Sequence, residues 1–224
     1  MPGQQHQTPA AAHSCALRAR TTSLRERKRT RTRETLVNVA LDLFDRQGYD
    51  ETTLAEIADA ADIAPRTFFS YFASKEEIVF PDSATWMQVV TDTIAARQAD
   101  DRPVDLLLRA LGNAADLDTG AVGRTAAVRL RLIMEVPTVR GRGLMIQFAA
   151  QREIAQRLHE AFPEQLDELT AAALVGATVG SITATLATLF DDPVRFAAML
   201  SDNPDWLRAE LRRGAEIALR PWRP

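Results

Sequence analysis

Apolar residues recur with a helical period over most of the chain. In "TRETLVNVALDLFDRQGYD", Leu36, Ala40, Leu43 and Phe44 fall at i, i+4, i+7 and i+8, and Gly48 can close that helix in the left-handed conformation. "TTLAEIADAADIAPRTFFSYFASKEE" then marks two helix starts. Thr53 with Glu56 and Ser74 with Glu77 each set a hydroxyl three residues ahead of a carboxylate, the spacing of a capping box. Between them "ADIAPRT" interrupts the pattern, and Pro65 suits the first turn of a new helix because its missing N–H would lack a partner there anyway. The spacing predicts short helices over 54–61 and 65–72, a helix-turn-helix, and a further helix from Ser74. Downstream, "DDRPVD", "DLDTGAVG", "EVPTVRG", "AFPEQ", "DDPV" and "SDNPDW" punctuate helices expected near 103–117, 121–134, 138–161, 164–190 and 204–220. The pattern carries no strand alternation, so the fold class is all-α.

The second short helix holds four aromatic residues. At about 100° per residue, Phe68, Tyr71 and Phe72 share one arc that can pack on the preceding helices, while Arg66 and Ser70 project oppositely with Thr67 and Phe69 on the flanks. An arginine, two hydroxyls and an apolar ring suit a major groove, where they can meet a guanine edge, bases or phosphates, and a thymine methyl. Taken alone, the same residues also fit an ordinary solvated face.

Charge strengthens the nucleic-acid reading. The net charge of the 224 residues is −3, yet Arg18, Arg20, Arg25, Arg27, Lys28, Arg29, Arg31 and Arg33 crowd the region before the first apolar repeat, opposed by Glu26 alone. Residues 1–30 lack periodicity and are expected to be a disordered basic arm that meets a phosphate-rich partner. Apolar residues make up 46% of the chain without any unbroken run near the ~18 that span a bilayer, and the leader has no signal-peptide pattern, so a cytoplasmic protein without membrane contact is expected. Cys15 stands alone, which excludes an internal disulfide and cysteine metal clusters. His6, His13 and His159 are scattered and no phosphate-cradling glycine loop is present, so neither catalysis, metal nor cofactor is expected.

"ALDLFDRQGY", "TTLAEIA", "RTFFSYF" and "SKEE", in this order across residues 33–79, closely resemble the DNA-binding domain of the tetracycline-repressor (TetR) family of bacterial regulators. The resemblance implies a homodimer on a palindromic double-stranded operator, released when a small effector binds a larger helical domain. Residues 31–78 would be the DNA-binding domain and 79–224 the ligand-binding and dimerisation domain. Family contacts map onto Thr53, Pro65, Arg66, Thr67, Phe69 and Tyr71, and onto Lys75, with Ser70 added from the outer face. Ala55 and Phe69 depart from the basic residue and the tyrosine common in the family, and Arg27, Lys28, Arg29 and Arg31 of the arm can supply the missing phosphate contacts.

In "PEQLDELTAAALVGATVGSITATLATLF", Ala172, Gly176, Gly180 and Ala184 recur every four residues. Helical glycine costs about 1 kcal/mol against alanine, so the stripe suggests close approach of another backbone, within the chain or from a second one. By family resemblance this is one of two interface helices, and Trp206, Leu207 and Leu211 belong to the other. Candidate pocket residues are the apolar positions Trp86, Met87, Val90, Leu107, Leu111, Leu130, Met134, Met145 and Phe148, with hydroxyls from Thr178, Ser181 and Thr185; each also fits plain core. "PRTFFSYFASKEEIVF" and "PTVRGRGLMIQFAAQREIAQRL" further resemble the actinobacterial branch that includes the mycofactocin-system regulator. That likeness implies a hydrophobic or acyl-type effector, whose anionic headgroup Arg140, Arg142 and Arg152 can meet.

Overall fold

The computed structural model describes residues 24–116, 124–203 and 205–222, and among them the regular structure is entirely helical. The first helix, α1, spans Leu24–Gln47. It ends where Gly48 takes φ of +95°. Residues 24–30, expected in a disordered arm, are helical. Arginine, lysine and glutamate are good helix formers, and exposed side chains on every face hide the period that marks the helix from Leu36 onward. Residues 1–23 of that arm lie outside the described residues.

The next elements are α2 (Leu54–Ala60) and α3 (Pro65–Phe68). Residues beyond Phe68 continue as tight turns, with the Phe72 N–H bonded to the Phe68 carbonyl at 3.1 Å. The first capping box forms as predicted, with the Thr53 side chain accepting from the Glu56 N–H and the Glu56 carboxylate from the Thr53 N–H. The second does not. Glu77 reaches the Ala73 N–H at 2.5 Å, and a 3₁₀ turn (Glu76–Val79) separates α3 from α4 (Ser83–Ala95) where one helix from Ser74 was expected. Pro81, inside that break, removes a donor that a continuous helix would need.

The larger part comprises α5 (Pro103–Asp116), α6 (Arg124–Glu135), α7 (Pro137–Ala161), α8 (Glu168–Leu189), α9 (Pro193–Asp202) and α10 (Trp206–Leu219). Sequence punctuation concealed α9. Its ten residues open on Pro193 with the Asp192 carboxylate capping the Arg195 N–H, so a segment read as a linker is a helix. α8 begins at Glu168 because Asp167 caps the Thr170 N–H at 2.6 Å.

Two cores result. One joins Leu36, Ala40, Phe44, Ile57, Phe68, Phe72 and Ile78 of the amino-terminal unit to Val128, Leu132 and Val139 at the α6–α7 corner. The other fills the space among α4, α5, α7 and α8 with Val90, Leu106, Leu107, Ile154, Leu158, Phe162 and Leu174. The α6–α7 corner therefore seats one unit on the other, reinforced by Arg131 bound to Asp45 at 2.8 Å.

Candidate nucleic-acid interface

The turn between α2 and α3 needs a left-handed residue, supplied by Asp62 at φ 54°, a conformation that aspartate tolerates better than most. It brings the Ile63 N–H to the Ala58 carbonyl at 2.9 Å and sets the two helices at their turn. The face of α3 toward α1 and α2 is then apolar: Phe68 is 0% exposed and Phe72 2%, their ring centroids 5.9 Å apart. Phe69 is 59% exposed and meets Phe68 edge-on at 5.5 Å, so one side of its ring is supported and the other faces outward. Pro65, Arg66 and Ser70 are exposed and Thr67 half-buried on the same outer side. The Ser70 hydroxyl donates to the Thr67 carbonyl at 2.7 Å, leaving its lone pairs to accept.

Not every predicted contact faces outward. Lys75 donates to the Tyr49 and Thr52 carbonyls at 2.6 and 3.0 Å, with its ammonium 4.1 Å from the Tyr49 ring centroid, so it braces the loop before α2. The Thr53 hydroxyl serves the capping box, whose bonds hold the Glu56 carboxyl below its ordinary value, chiefly through the Thr53 N–H. Tyr49 donates to Glu76 at 2.9 Å, and burial pushes its phenol pKa up, so this bond persists at any physiological pH.

The basic residues of α1 divide by face. Arg25, Lys28, Arg29 and Thr32, spaced as one helical stripe, line a cleft of about 620 Å³ with Ser70 and Tyr71, whereas Arg27 and Arg31 lie exposed outside its wall. Arg29 donates to the Ser70 carbonyl at 3.3 Å and lies 5.9 Å from the Tyr71 ring centroid. Arg33, singled out by no motif, donates to the Tyr71 carbonyl at 2.6 Å and the Pro81 carbonyl at 2.8 Å. The segment that follows α3 is thus tied to a basic helix, and positive charge gathers beside the outer face of α3.

Comparison with known proteins agrees with this geometry. The profile described as "Bacterial regulatory proteins, tetR family" matches residues 36–80. TcmR of Streptomyces glaucescens, an HTH-type transcriptional regulator, is 34% identical over 135 residues, 58% of this chain and 58% of its own length. The likeness to the tetR family is carried by residues 36–80. MftR of Mycobacterium tuberculosis, named for mycofactocin biosynthesis transcriptional regulation, is 30% identical over 57% of this chain and 64% of its own length. Each match thus spans less than two thirds of the relative. The fold is shared with the fatty acid degradation regulator FadR from Bacillus halodurans (TM-score 0.52, 18% identity, 86% of this chain and 96% of that one). It is shared too with the protein of a SmeT–triclosan complex (TM-score 0.59, 13% identity, 85% and 90%). TcmR and MftR are both named as transcriptional regulators.

Elsewhere in the chain a cavity of about 390 Å³ opens where the 3₁₀ turn meets α4, walled by Val79, Phe80, Pro81, Trp86, Leu130, Ile133, Phe196 and Leu207, with Asp82, Ser83, Thr85 and Arg129 as polar members. Of the predicted pocket residues only Trp86 and Leu130 line it. Val90 and Leu107 are fully buried core, with Met87 and Leu111 packed on them. Met134, Met145 and Phe148 are exposed on α6 and α7. Thr178 bonds the Leu174 carbonyl, Ser181 the Thr178 carbonyl, and Thr185 packs on α10, where a Cβ on Gly214 would meet its Oγ1. Helical spacing identified apolar positions but not the direction in which each faces. Phe80 and Phe196 were missed because the 3₁₀ break and α9 were; Arg129 lies on a helix that was expected, but no spacing marks which way it faces.

The small-residue stripe is exposed. Ala172, Gly176, Gly180 and Ala184 face away from the chain, and an added Cβ at Gly176 or Gly180 would meet nothing within 4 Å. The close approach inside the chain occurs at Gly214 instead. Trp206 and Leu207 pack on Phe190 and Phe196 rather than outward, and Leu211 is half-buried. α8 is long and apolar enough to cross a membrane by composition, yet one of its faces packs on α7 and α10.

Proposed function

We propose that this protein is a ligand-responsive, sequence-specific transcriptional regulator that binds a palindromic operator as a homodimer and represses until a small hydrophobic or acyl-type effector releases it. The carrying observation is the division of aromatics on α3: Phe68 and Phe72 complete the core, so the exposed Phe69 beside Arg66, Thr67 and Ser70 is surplus to folding. Residues 31–78 read DNA, Arg66 at a guanine edge and Phe69 at a thymine methyl, while Arg27, Lys28, Arg29 and Arg31 approach phosphates. Residues 79–224 bind effector and partner, the exposed α8 face pairing with its symmetry mate, and the protein acts at the nucleoid in the cytoplasm. The cavity supports the effector reading because it is mostly apolar, of ligand size, and carries Arg129 for an anionic group such as a carboxylate.

The test is selection of bound fragments from a random duplex pool by the purified full-length chain. A palindromic consensus with half-sites one or two helical turns apart, about 34–36 Å each, is expected. No enrichment by a folded protein would sink the reading.

A further inference from the structure

Beyond the assignment of DNA and effector sites, we propose that Arg33 is the positioning residue through which the cavity governs the recognition segment, an inference that rests on the cavity being the effector site. α3 has four helical residues, too few to fix its own orientation, and the Ser70 and Tyr71 carbonyls just beyond it accept from arginines of α1. Arg33 satisfies one of the carbonyls that follow it, Tyr71 O at 2.6 Å through Nη1, while Nη2 holds Pro81 O at 2.8 Å. Pro81 is a cavity wall. One planar guanidinium therefore joins that wall to the end of the DNA-reading segment, its two fixed donors each holding one of the carbonyls.

The surroundings leave the joint little slack. The guanidinium carbon lies 4.1 Å from the Phe72 ring centroid, and that ring is 2% exposed, so the group has a fixed floor. Next to Pro81, Phe80 presses on α7 so closely that a Cβ on Gly143 would sit 3.0 Å from its Cζ. Arg142 of α7 also approaches Glu77 at 3.8 Å. An occupant that displaces residues 79–83 is resisted on the α7 side, and the yielding direction is toward Arg33, which either draws Tyr71 with it or loses a bond. Either response reorients Phe69, Ser70 and Tyr71.

Two double-mutant cycles test this without knowing the effector, because side chains grown into the cavity stand in for it. Ala126→Phe and Leu130→Trp fill the space from α6, each alone and combined with Arg33→Gln. Affinity is read on the duplex selected from the random pool, and hydrogen exchange of residues 66–72 is read on the DNA-free protein. Filling should weaken duplex binding about tenfold and raise that exchange when Arg33 is present, but change binding less than about twofold with Arg33→Gln. Arg33→Lys keeps the charge without the fork and should restore binding more than coupling. Equal losses in both backgrounds, or folded filled variants that change neither readout, would overturn the proposal. If Arg33→Gln binds DNA too weakly to measure, the exchange cycle decides alone. Should the wild type select no duplex, the regulatory reading fails while the exchange cycle still tests the linkage.

Discussion

On α3 the large rings turn inward and one aromatic is left outside, whereas on α8 the side chains of one face shrink to alanine and glycine and the whole face is left outside. Both surfaces are under-used by the single chain, but in different currencies of shape. A projecting ring and guanidinium suit a groove in another molecule. A flat stripe lacking Cβ bulk suits a helix backbone, and under two-fold symmetry that helix can be its own copy. The contrast teaches that exposed apolar surface is read by its relief as well as its amount.

The sharpest way to break this contrast is within α3. Phe68→Ala should destabilise the protein by about 3–5 kcal/mol in denaturant titration, as removal of a buried phenyl does. Phe69→Ala should change stability by less than about 0.5 kcal/mol while weakening duplex binding. Equal stability losses would place both rings in the core and remove the argument for a reading face.

The α8 half is tested by Gly180→Arg. Open space around Gly180 means the monomer should tolerate it, but a charge placed at a symmetric interface should raise the dimer dissociation constant about 100-fold by sedimentation. A dimer unchanged in strength would move the interface elsewhere. Next in size, Arg66→Ala should cost about 1–3 kcal/mol of duplex affinity and relax the consensus at one position of each half-site. A uniform loss across all sequences would make it a phosphate contact instead.

The smallest effect concerns the helix start that precedes the reading face. Thr53→Ala should cost about 1 kcal/mol of stability near neutral pH. Because the folded Glu56 pKa lies below its ordinary 4.5, the carboxylate's share is fully present above about that pH and lost as pH falls through the depressed folded value. Because alanine keeps the N–H that chiefly holds Glu56, thermal melting of the two proteins should converge only in part on acidification; a gap that stays constant would mean that the Thr53 hydroxyl does nothing to hold the carboxylate.

How much of this was legible follows from where local chemistry decides structure. Thr53, Gly48 and Pro65 announce caps and breaks that depend on adjacent residues, and they sit where the pattern put them. Phe68 and Phe72 face inward because three and four residues bring a helix back to the same side. Ser74 was misleading because a hydroxyl and a carboxylate three apart form a cap only if the intervening backbone is α-helical, and Pro81 prevents the long helix that would have extended it. Residues 24–30 were misread since solvent-facing helices carry no apolar period. The cavity was least legible: Leu130 lines it while Met145 does not, a distinction set by how α6, α7 and α9 pack rather than by anything local. Arg33 belongs to the same class, its partners lying far along the chain.

That last feature bears on how portable the reading head is. The Ser70 and Tyr71 carbonyls are both held from α1, by Arg29 and Arg33, so the segment proposed to read DNA is posed by residues well upstream of it. A transplant of residues 65–72 into a related regulator would carry the letters of recognition without their posture. To move specificity between such proteins, the unit of exchange has to include the basic helix behind the reader, and shuffled chimeras that cut between the two should lose discrimination even when every base-facing residue is retained.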